Sequence, residues 1–403
     1  MSMCRHTRVR SWVATLAWLV APVVAASGTP AGAVPIGWRV AGDLPSEQGR
    51  DLPLGIGGPV VGVSHGQLIV GGGANFPGGP PWRGGHKVFY KRICAFRIDG
   101  NRLRHAPSCA TLPYGVAYSA NVSTRDGIVA VGGENSQGPS SGVLLIRWNA
   151  GLDRLDISRL PNLPLELTDG MAAAVDGTVY FAGGAHGWTA SNKLYALDLS
   201  DVNAGWQVIG RLPERVRDGV LLATTGQSAD ALYLVGGRRS TKSGVSALYS
   251  SVYRYDLAHK SWSRRASLPY VLSAETGVAW GTHTLLIFSG DRGGTFHHTQ
   301  VLAAEVRAAK NPGIKRQLRI QLAIVQEMHP AYSRAVLRYD ATSNQWTRVG
   351  TLPYYGQVTT TAVKCGREVW IPSGEIRAGV RTPQIIVGTL PTPRTISSEH
   401  QTP

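Results

Sequence analysis

Short hydrophobic strands that end in a Gly-Gly or Ser-Gly pair recur six times along the chain. Examples are LIVGGG, IVAVGG and VYFAGG, and the pairs fall at Gly72, Gly132, Gly183, Gly236, Ser289 and Ser373. The first five positions lie 51 to 60 residues apart, and a longer gap precedes the last. A repeat of this length is typical of propeller blades. The pattern therefore predicts a ring of six similar units.

Each of these strands stands between two strands of different character. A strand of small residues, such as GMAAAVDG, comes before it, and an alternating strand, such as LYALDLS, comes after it. Small side chains suit the crowded axis of a ring, and alternation with period two marks a half-buried strand. A tryptophan then stands six residues before a Leu-Pro pair, at Trp206, Trp262 and Trp346. Together these elements predict four antiparallel strands per unit, the kelch type of blade.

One tryptophan of this kind, Trp38 before Leu44-Pro45, precedes the first glycine pair. The segment TPQIIVGTL near the C-terminus, in contrast, has no outer strand after it. We therefore expect the strand near Trp38 to complete the blade begun by residues 356–388. The predicted fold class is all-β, a six-bladed kelch-type β-propeller, cyclically permuted, whose ring closes through its two ends and leaves no sheet edge exposed around the ring.

The long gap between Asp291 and Arg334 predicts a helical insertion at about 295–332 and no seventh blade. Two segments, LAAEVRAAK and IKRQLRIQLAIVQEMH, have helical patterns and flank an Asn-Pro-Gly turn. The second segment has an apolar stripe at helical spacing, made of Ile314, Leu318, Leu322 and Val325. The insertion is either a hairpin packed on the propeller or a lid over a pocket. We favour the lid, because the insertion follows a loop that should face the pocket.

The N-terminus has the pattern of a secretory signal peptide. Three arginines precede an apolar run at about 12–26, and small residues ending in Ala31-Gly32-Ala33 follow. The run is shorter than the ~20 residues that span a bilayer, which disfavours a membrane anchor. We predict a signal peptide at 1–33, the propeller at 34–390 and a disordered tail at 391–403. The protein is expected to be secreted or periplasmic, with no membrane contact after signal cleavage.

The chain is basic, with 41 Lys and Arg against 25 Asp and Glu and a formal net charge of +16. Its basic residues are scattered along the whole length. A nucleic-acid partner is therefore not expected, whereas acidic small molecules or polysaccharides suit a basic protein outside the cytoplasm.

The cysteines after residue 33 are Cys94, Cys109 and Cys365, and their spacing is not that of metal ligands. Cys94 and Cys109 would lie on neighbouring outer strands of one blade. In an oxidising compartment they could form a disulfide, and the sequence leaves this open. We expect Cys365 to be a buried, unreactive thiol.

Residues that directly follow the glycine pairs should project together into one mouth of the central channel. These candidates are Asn75, Glu134, Asn135, His186, Arg238, Arg239, Asp291, Arg292, Glu375, Arg377 and Arg381. A ring of acids and arginines without a Cys/His cluster indicates recognition of an anion, with proton transfer and with no metal or other cofactor. For Glu134 and Asp291, a purely structural role in the turn is an equal alternative.

The segment SGEIRAGVRTP at 373–383 resembles the Gly-Glu-x-x-x-Gly-x-Arg-Thr motif of the sialic acid mutarotases, or N-acetylneuraminate epimerases. Further similar segments are GGGANFPGGPPWRGGHKVFY at 71–90, LPYGVAYSAN at 112–121 and the run MHPAYSRAVLRYD that ends at Asp340. This family consists of cyclically permuted kelch propellers. The resemblance implies a mutarotase that interconverts the α and β anomers of N-acetylneuraminate or a related acidic sugar. It also implies that Glu375 is the general base and Arg381 its catalytic partner.

The substrate-binding residues predicted beside this pair are Asn75, Glu134, Asn135, Arg238, Arg292 and Arg377. A carboxylate suits removal of the anomeric proton, and an arginine suits bidentate binding of the sugar's carboxylate. The general acid stays open among water, His329, Tyr114 and Tyr355.

Alternative functions are a non-catalytic propeller that binds acidic carbohydrate or a protein partner, and a lyase or epimerase acting on a uronic acid. The sequence predicts no oligomeric state.

Overall fold

Six antiparallel sheets of four or more strands form the six blades of a β-propeller, which confirms the predicted fold class. The structure is a computed structural model and describes residues 36–46, 53–104, 107–226 and 230–391. The predicted signal peptide at 1–33 and residues 392–403 of the predicted tail lie outside the described residues. In the part that is described, no helix has the length and apolar character needed to cross a membrane.

The strands of the first three blades follow one another along the chain, after one N-terminal strand that belongs to the last blade. That N-terminal strand is β1 (Gly37–Asp43). Blade 1 contains β2 (Gly57–Ser64), β3 (Gln67–Asn75), β4 (Val88–Phe89), β5 (Arg92–Asp99), β6 (Arg102–Leu103) and β7 (Ser108–Thr111). Blade 2 contains β8 (Ala120–Thr124), β9 (Gly127–Val131), the hairpin β10 (Glu134–Asn135) and β11 (Gly138–Pro139), β12 (Val143–Asn149) and β13 (Arg154–Leu160). Blade 3 contains β14 (Thr168–Val175), β15 (Thr178–His186), β16 (Thr189–Ala190), β17 (Lys193–Asp198) and β18 (Gln207–Arg211).

The remaining three blades carry two further hairpins and the two α-helices. Blade 4 contains β19 (Val220–Thr224), β20 (Ala231–Val235), the hairpin β21 (Arg238–Arg239) and β22 (Ala247–Leu248), β23 (Val252–Asp256) and β24 (Ser261–Arg264). Blade 5 contains β25 (Thr276–Trp280), β26 (Thr284–Phe288), the helices α1 (Gly294–Ala308) and α2 (Pro312–Glu327), β27 (Ala335–Asp340) and β28 (Gln345–Thr351). Blade 6 contains β29 (Val363–Cys365), β30 (Glu368–Pro372), the hairpin β31 (Glu375–Arg377) and β32 (Val380–Arg381), β33 (Gln384–Thr389) and β1. Short 3₁₀ turns occur at Pro81–Arg83 and Val202–Ala204.

The two ends of the propeller sequence meet in blade 6, as predicted. Strand β1 pairs antiparallel with β33, with Trp38 opposite Gly388. The Trp38 ring also makes an edge-on contact with Phe288 of blade 5, at 5.6 Å between ring centroids. The outer strand of blade 6 therefore both completes its own sheet and packs against the preceding blade.

The hydrophobic core lies between neighbouring blades. One cluster joins Val60 and Ile69 of blade 1 to Ile128 and Leu144 of blade 2. The repeated tryptophans add polar links across the same boundaries. Trp206 Nε1 donates a hydrogen bond of 2.8 Å to the Pro161 carbonyl, and Trp346 Nε1 donates one of 2.8 Å to the Ala266 carbonyl. Each acceptor belongs to the preceding blade, so these tryptophans position one blade on the next.

A closed circle of six backbone hydrogen bonds surrounds the axis. It is formed by one residue of each blade, at or shortly before the start of the innermost strand, and each N–H donates to the equivalent carbonyl of the preceding blade over 2.7 to 3.3 Å. All six residues have φ between 51° and 62°. They are Gly58, Tyr118, Asp169, Asp218, Ala274 and Thr359. We refer to these six residues as the axial ring.

The glycine pairs are explained by a second set of contacts between blades. Both residues of every pair have positive φ, including the two serines Ser289 and Ser373. In four blades the second glycine donates to a carbonyl of the next blade, as Gly73 does to Val116 and Gly133 to Leu167. Positive φ is costly for residues with a side chain, and glycine also lets the backbones approach closely. The pairs are therefore a requirement of blade-to-blade contact.

The insertion consists of two helices, but the first begins earlier than its pattern predicted. Helix α1 starts at Gly294, so His297 and His298 are helical and exposed. Asn311 caps α2 and accepts hydrogen bonds from the N–H groups of Gly313 and Ile314. In the predicted apolar stripe, Leu318, Leu322 and Val325 are half-buried, whereas Ile314 is 54% exposed. Ile314 is exposed because it lies in the first turn of α2, beside the exposed connection.

Cys94 and Cys109 form a disulfide between the paired strands β5 and β7. Cys365 is a free thiol, but it is only half-buried. The expectation that Cys365 is fully buried was therefore wrong. It lies at the end of the short strand β29, where the sheet gives way to a turn. Partial burial and nearby Glu368 raise the pKa of its thiol, so it remains protonated at neutral pH.

Trp38→Ala is expected to lower the free energy of unfolding by about 2 to 3 kcal/mol, because it removes aromatic packing between blades 5 and 6. Trp188→Ala is the matched control, since the Trp188 side chain is 66% exposed. Chemical denaturation of both variants checks this. Equal stability losses in the two variants would contradict closure through β1.

Glu275, next to the axial ring, predicts a specific dependence of stability on pH. The residue is 4% exposed, and burial raises the pKa of its carboxyl to about 8. An acid whose pKa is higher in the folded than in the unfolded protein stabilises the folded state while it is protonated. Its contribution to the free energy of unfolding is complete below the pKa of the unfolded protein and is lost as the pH rises through the pKa of the folded protein. The Glu275 contribution is thus complete below about pH 4.5 and lost by about pH 8.

We expect Glu275→Gln to be more stable than the parent at pH 9, by up to a few kcal/mol, and similar at pH 5. Thermal unfolding at both pH values measures this, with Glu368→Gln as control; a difference independent of pH would contradict the prediction.

Candidate functional site

The residues after the glycine pairs occupy equivalent places at one mouth of the channel. In four blades, the residue after the pair forms a bridge with the residue just before the axial ring of the same blade. These bridges are Ala117 with Glu134, Arg217 with Arg238, Ser273 with Asp291, and Val358 with Glu375. In blades 1 and 3 the equivalent residues are Ala74 and Ala185. Ladder geometry therefore places four polar side chains around the same opening.

A cavity of about 430 Å³ occupies this mouth. Its floor includes Tyr118, Asp218, Ala274 and Thr359 of the axial ring. The insertion covers one side, with Phe296, Gln300, Leu322 and Gln326 among the lining residues. A second cavity of about 340 Å³ lies along the innermost strands and shares these axial-ring residues. The mouth cavity holds most of the ionisable side chains and is the candidate site.

Glu375 and Arg381 face each other across the two-stranded hairpin of blade 6. Their backbones pair in the β31–β32 register, and Arg381 Nη2 lies 3.2 Å from Glu375 Oε2. The Arg381 side chain is 2% exposed and that of Glu375 is 16% exposed. The other carboxylate oxygen, Oε1, accepts a hydrogen bond of 2.8 Å from the Tyr332 hydroxyl and one of 3.3 Å from the Gly379 N–H. The carboxylate is therefore held on both oxygens while it borders the cavity.

The Arg381 guanidinium is fixed by residues of two other blades. Nη2 donates to the Tyr118 hydroxyl over 3.2 Å, and Nη1 donates to Asn75 Oδ1 over 3.4 Å. The guanidinium also lies over the Phe76 ring, 4.8 Å from its centroid. Gly57 makes room for this arrangement, since a Cβ at residue 57 would lie 2.5 Å from Arg381 Nε. The cation is thus pre-oriented before any ligand arrives.

The two tyrosines next to this ion pair remain protonated. Burial, followed by the charge of Glu375, raises the pKa of Tyr332 far above its usual range. Burial also raises the pKa of Tyr118, against an opposing effect of Arg381. Both phenols therefore carry their protons across the physiological pH range.

Asp218 and Arg238 line the cavity and belong to an alternating array of carboxylates and guanidiniums. Arg217 pairs with Asp169, and its Nε lies 3.0 Å from Asp218 Oδ2. Arg238 Nη2 lies 2.9 Å from the same Asp218 oxygen, and its guanidinium stacks on Phe296. Burial raises the pKa of Asp169 to about 6 despite the Arg217 charge. Arg238 therefore faces the cavity with its charge already balanced.

His329 reaches the cavity from the segment that follows α2. Its Nδ1 accepts a hydrogen bond of 3.1 Å from the Ala331 N–H. Burial lowers the pKa of the imidazole, although Asp291 and Glu375 act in the opposite direction. A neutral ring with Nδ1 as acceptor carries its proton on Nε2. His329 is therefore a neutral imidazole that can donate through Nε2.

The end of α2 is anchored to the loop of blade 1 on the other side of the mouth. Glu327 Oε1 accepts hydrogen bonds of 2.6 Å from Arg83 Nε and 3.2 Å from Trp82 Nε1. Trp82 also lines the cavity. The insertion therefore bridges blades 5 and 1 above the site.

Comparison with known proteins decides the family. The sequence model of the family described as N-acetylneuraminate epimerase matches residues 160–399. The chain belongs to the N-acetylneuraminate epimerase family. Among curated relatives of that name, the protein of Haemophilus influenzae (strain PittEE) is 27% identical over 55% of this chain and 57% of its own length. The Vibrio cholerae protein is 26% identical over 56% and 58%, and the Yersinia enterocolitica protein is 30% identical over 57% of each chain. The chain thus matches less than two thirds of the length of these relatives.

Some predicted site residues of this family member lie at the cavity and others do not. Glu375, Arg381, Arg238 and Asp291 line it, and Asn75 contacts Arg381. Glu134 does not line the cavity but forms an ion pair with the lining residue Lys87, with 2.6 Å between Lys87 Nζ and Glu134 Oε1. The remaining predicted residues are not among the lining residues; they are Asn135, His186, Arg239, Arg292 and Arg377, together with the general-acid candidates Tyr114 and Tyr355.

Physical reasons for these placements are visible in the local contacts. The Asn135 side chain accepts the Gln137 N–H within its own turn. Arg292 stacks on Tyr270 at 4.2 Å, and Arg377 is exposed beyond a register shift in its hairpin. Alternation along a short strand sends one side chain of each adjacent pair away from the mouth. The glycine pairs alone could not distinguish the two directions.

Sequence reasoning missed Tyr332, Tyr118 and Asp218. Tyr332 lies in the family-like run that ends at Asp340, and Tyr118 lies in the segment at 112–121. Tyr118 and Asp218 share an equivalent position, directly before a small-residue strand, and this repeat position could have revealed them. Within the described ranges, no group of three or more His, Cys, Asp and Glu residues is arranged to hold a metal ion.

Gly57→Ala tests whether the space beside Arg381 is required. The added methyl group would push the buried guanidinium from Tyr118 and Asn75, and we expect a loss of about 1 to 3 kcal/mol in the free energy of unfolding. Gly37→Ala in β1 is the matched control, because no atom lies within 4 Å of a Cβ at that position. Denaturant unfolding of both variants measures the difference. Equal stability of the two would contradict the close fit.

Proposed function

We propose that this chain interconverts the anomers of N-acetylneuraminate or a closely related acidic sugar. The observation that carries this proposal is the buried Glu375–Arg381 pair at the rim of a covered cavity, with the Tyr332 hydroxyl on the same carboxylate. Membership of the family and the printed names of the relatives support the same activity. The product of the reaction is the other anomer, so the enzyme class is an isomerase.

Anomer exchange requires a base and an acid at neighbouring oxygens. The anomeric hydroxyl loses a proton, the bond from the anomeric carbon to the ring oxygen breaks, and the ring oxygen gains a proton. The resulting open-chain ketone rotates and closes on its other face by the reverse steps. In this proposal the Glu375 carboxylate takes the anomeric proton. Acid–base help of this kind is typically worth ~10²- to 10⁴-fold in rate.

Arg381 is proposed to bind the carboxylate of the sugar. A guanidinium offers a planar fork of donors that fits a carboxylate. Its contact with Asn75 Oδ1 is long, at 3.4 Å, and is the one that a ligand carboxylate can replace. Tyr118 and Phe76 would then keep the guanidinium in place. The sugar would thus be oriented with its anomeric carbon toward Glu375.

The insertion supports the chemistry by covering the site. Leu322 and Phe296 place apolar surface over the cavity, and Glu327 holds the end of α2 to blade 1. Excluding bulk water strengthens hydrogen bonds and ion pairs inside the site. This supports the role of the insertion as a lid.

Export from the cytoplasm is part of the same proposal. The basic and apolar pattern at 1–33 favours a secreted or periplasmic location. The Cys94–Cys109 disulfide is typical of an oxidising compartment. The site would then act on free acidic sugars outside the cytoplasm, and it needs no nucleic acid.

Exchange NMR between the two anomers of N-acetylneuraminate tests the activity. The wild-type protein is expected to accelerate exchange, and Glu375→Gln should lower its contribution at least ~100-fold, because an amide cannot take the proton. Glu368→Gln is the matched control in the same blade and should exchange like the wild type. Binding of the sugar without acceleration by the wild type would support a non-catalytic sugar-binding propeller and contradict the proposal.

A further inference from the structure

The proposed reaction leaves the donor to the ring oxygen unassigned, and one hydroxyl lies where that donor is needed. Tyr332 belongs to the segment between α2 and β27, outside the hairpin that carries Glu375 and Arg381. Its hydroxyl donates a hydrogen bond of 2.8 Å to Glu375 Oε1 and lines the same cavity. No other tyrosine hydroxyl in the described residues bonds to this carboxylate.

We propose that Tyr332 is the general acid for the ring oxygen, and that Glu375 and Tyr332 act together as one proton-transfer pair. The proposal rests on the anomer exchange described above. The anomeric oxygen and the ring oxygen are bonded to the same carbon, so they lie side by side. A carboxylate and a phenol joined by one hydrogen bond present an acceptor and a donor side by side in the same way.

The protons balance without a co-reactant. As Glu375 removes the proton of the anomeric hydroxyl, Tyr332 gives its proton to the ring oxygen and the ring bond breaks. The protonated carboxyl of Glu375 then returns a proton to the Tyr332 oxygen across their hydrogen bond. Ring closure runs the same steps backwards on the other face of the ketone. The enzyme ends in its starting protonation state.

Electrostatics makes the Tyr332 phenol more acidic, relative to the resting site, at the step where its proton is required. Burial, followed by the negative charge of Glu375, raises the pKa of Tyr332 in the resting site. The second effect disappears when Glu375 takes the anomeric proton. The two transfers are therefore coupled, since each makes the other easier. Arg381, 3.2 Å from Glu375, can also stabilise the transient negative charge.

Neighbouring groups fit this role less well. The Tyr118 hydroxyl accepts from Arg381 Nη2, the nitrogen that also lies 3.2 Å from Glu375 Oε2, and it is bonded to this cation and not to the carboxylate. His329 is neutral and can donate through Nε2, but among the described residues the hydrogen bond to Glu375 Oε1 from the segment after α2 comes from Tyr332 and not from His329. Its ring packs on Tyr332 with 4.8 Å between centroids. His329 therefore positions the phenol ring.

Tyr332→Phe tests this role because it removes only the hydroxyl and keeps the ring. We expect the exchange rate of N-acetylneuraminate anomers at saturation to fall ~100-fold or more. The concentration giving half-maximal rate should change less than about threefold. Tyr355→Phe is the matched control, since the Tyr355 side chain is 46% exposed. A Tyr332→Phe rate within threefold of the wild type would overturn the proposal.

A proton inventory in mixed H₂O and D₂O gives an independent readout on the wild type itself. Two transferred protons predict a rate that falls with a quadratic dependence on the deuterium fraction, and the folded Tyr332→Phe variant should show a linear one. A linear inventory in the wild type would overturn the proposal even if the variant fails to fold. Absence of any wild-type acceleration would overturn the proposed function and this inference with it. Loss of activity in Glu375→Gln with a fully active Tyr332→Phe would overturn this inference alone.

Discussion

The circle of hydrogen bonds around the axis is the constraint on which the molecule depends. Each blade donates one backbone N–H to the blade before it, and the sixth bond joins Gly58 of blade 1 to Thr359 of blade 6. The outer strand of blade 6 is supplied by the N-terminal β1, so ends far apart in sequence are joined in one sheet. Beside the ring, the bridged residues Arg238, Asp291 and Glu375 line the mouth cavity. Closure of the ring therefore also places these side chains of the candidate site at the mouth of the channel.

The repeat pattern was sufficient to predict the fold. Glycine pairs, small-residue strands and the displaced Trp38 encode contacts that every blade makes, and repetition makes such signals visible in one sequence. The site was predictable in part for the same reason, since the residue after each pair occupies an equivalent place. Asn135 and Arg292 show the limit, because side chains of adjacent residues in an extended segment point in opposite directions. Arg377 follows a register shift within its hairpin, which the repeat pattern does not reveal. Tyr332 could not be located by the repeat at all, since it comes from an insertion that only blade 5 contains.

Each Lys and Arg side chain that lines the described cavity is paired with a carboxylate. Lys87 faces Glu134, Arg238 faces Asp218 and Arg381 faces Glu375. An acidic ligand therefore gains little from net charge and must gain from geometry, which favours a pre-oriented guanidinium over a mobile one. The Glu327 contacts extend this organisation to the insertion, because they fix the segment that carries His329 and Tyr332. The helical insertion, which lies outside the blade repeat, is therefore part of the proposed reaction centre.

In the proposed complex, the blade 6 hairpin and the insertion both contact one bound sugar. A crystal structure of the Glu375→Gln variant with N-acetylneuraminate bound tests this most directly. We expect the sugar carboxylate to lie within hydrogen-bond distance of the Arg381 guanidinium. The anomeric carbon should face residue 375 and the Tyr332 hydroxyl. A sugar bound outside the mouth cavity, or bound there with its carboxylate directed away from Arg381, would contradict it.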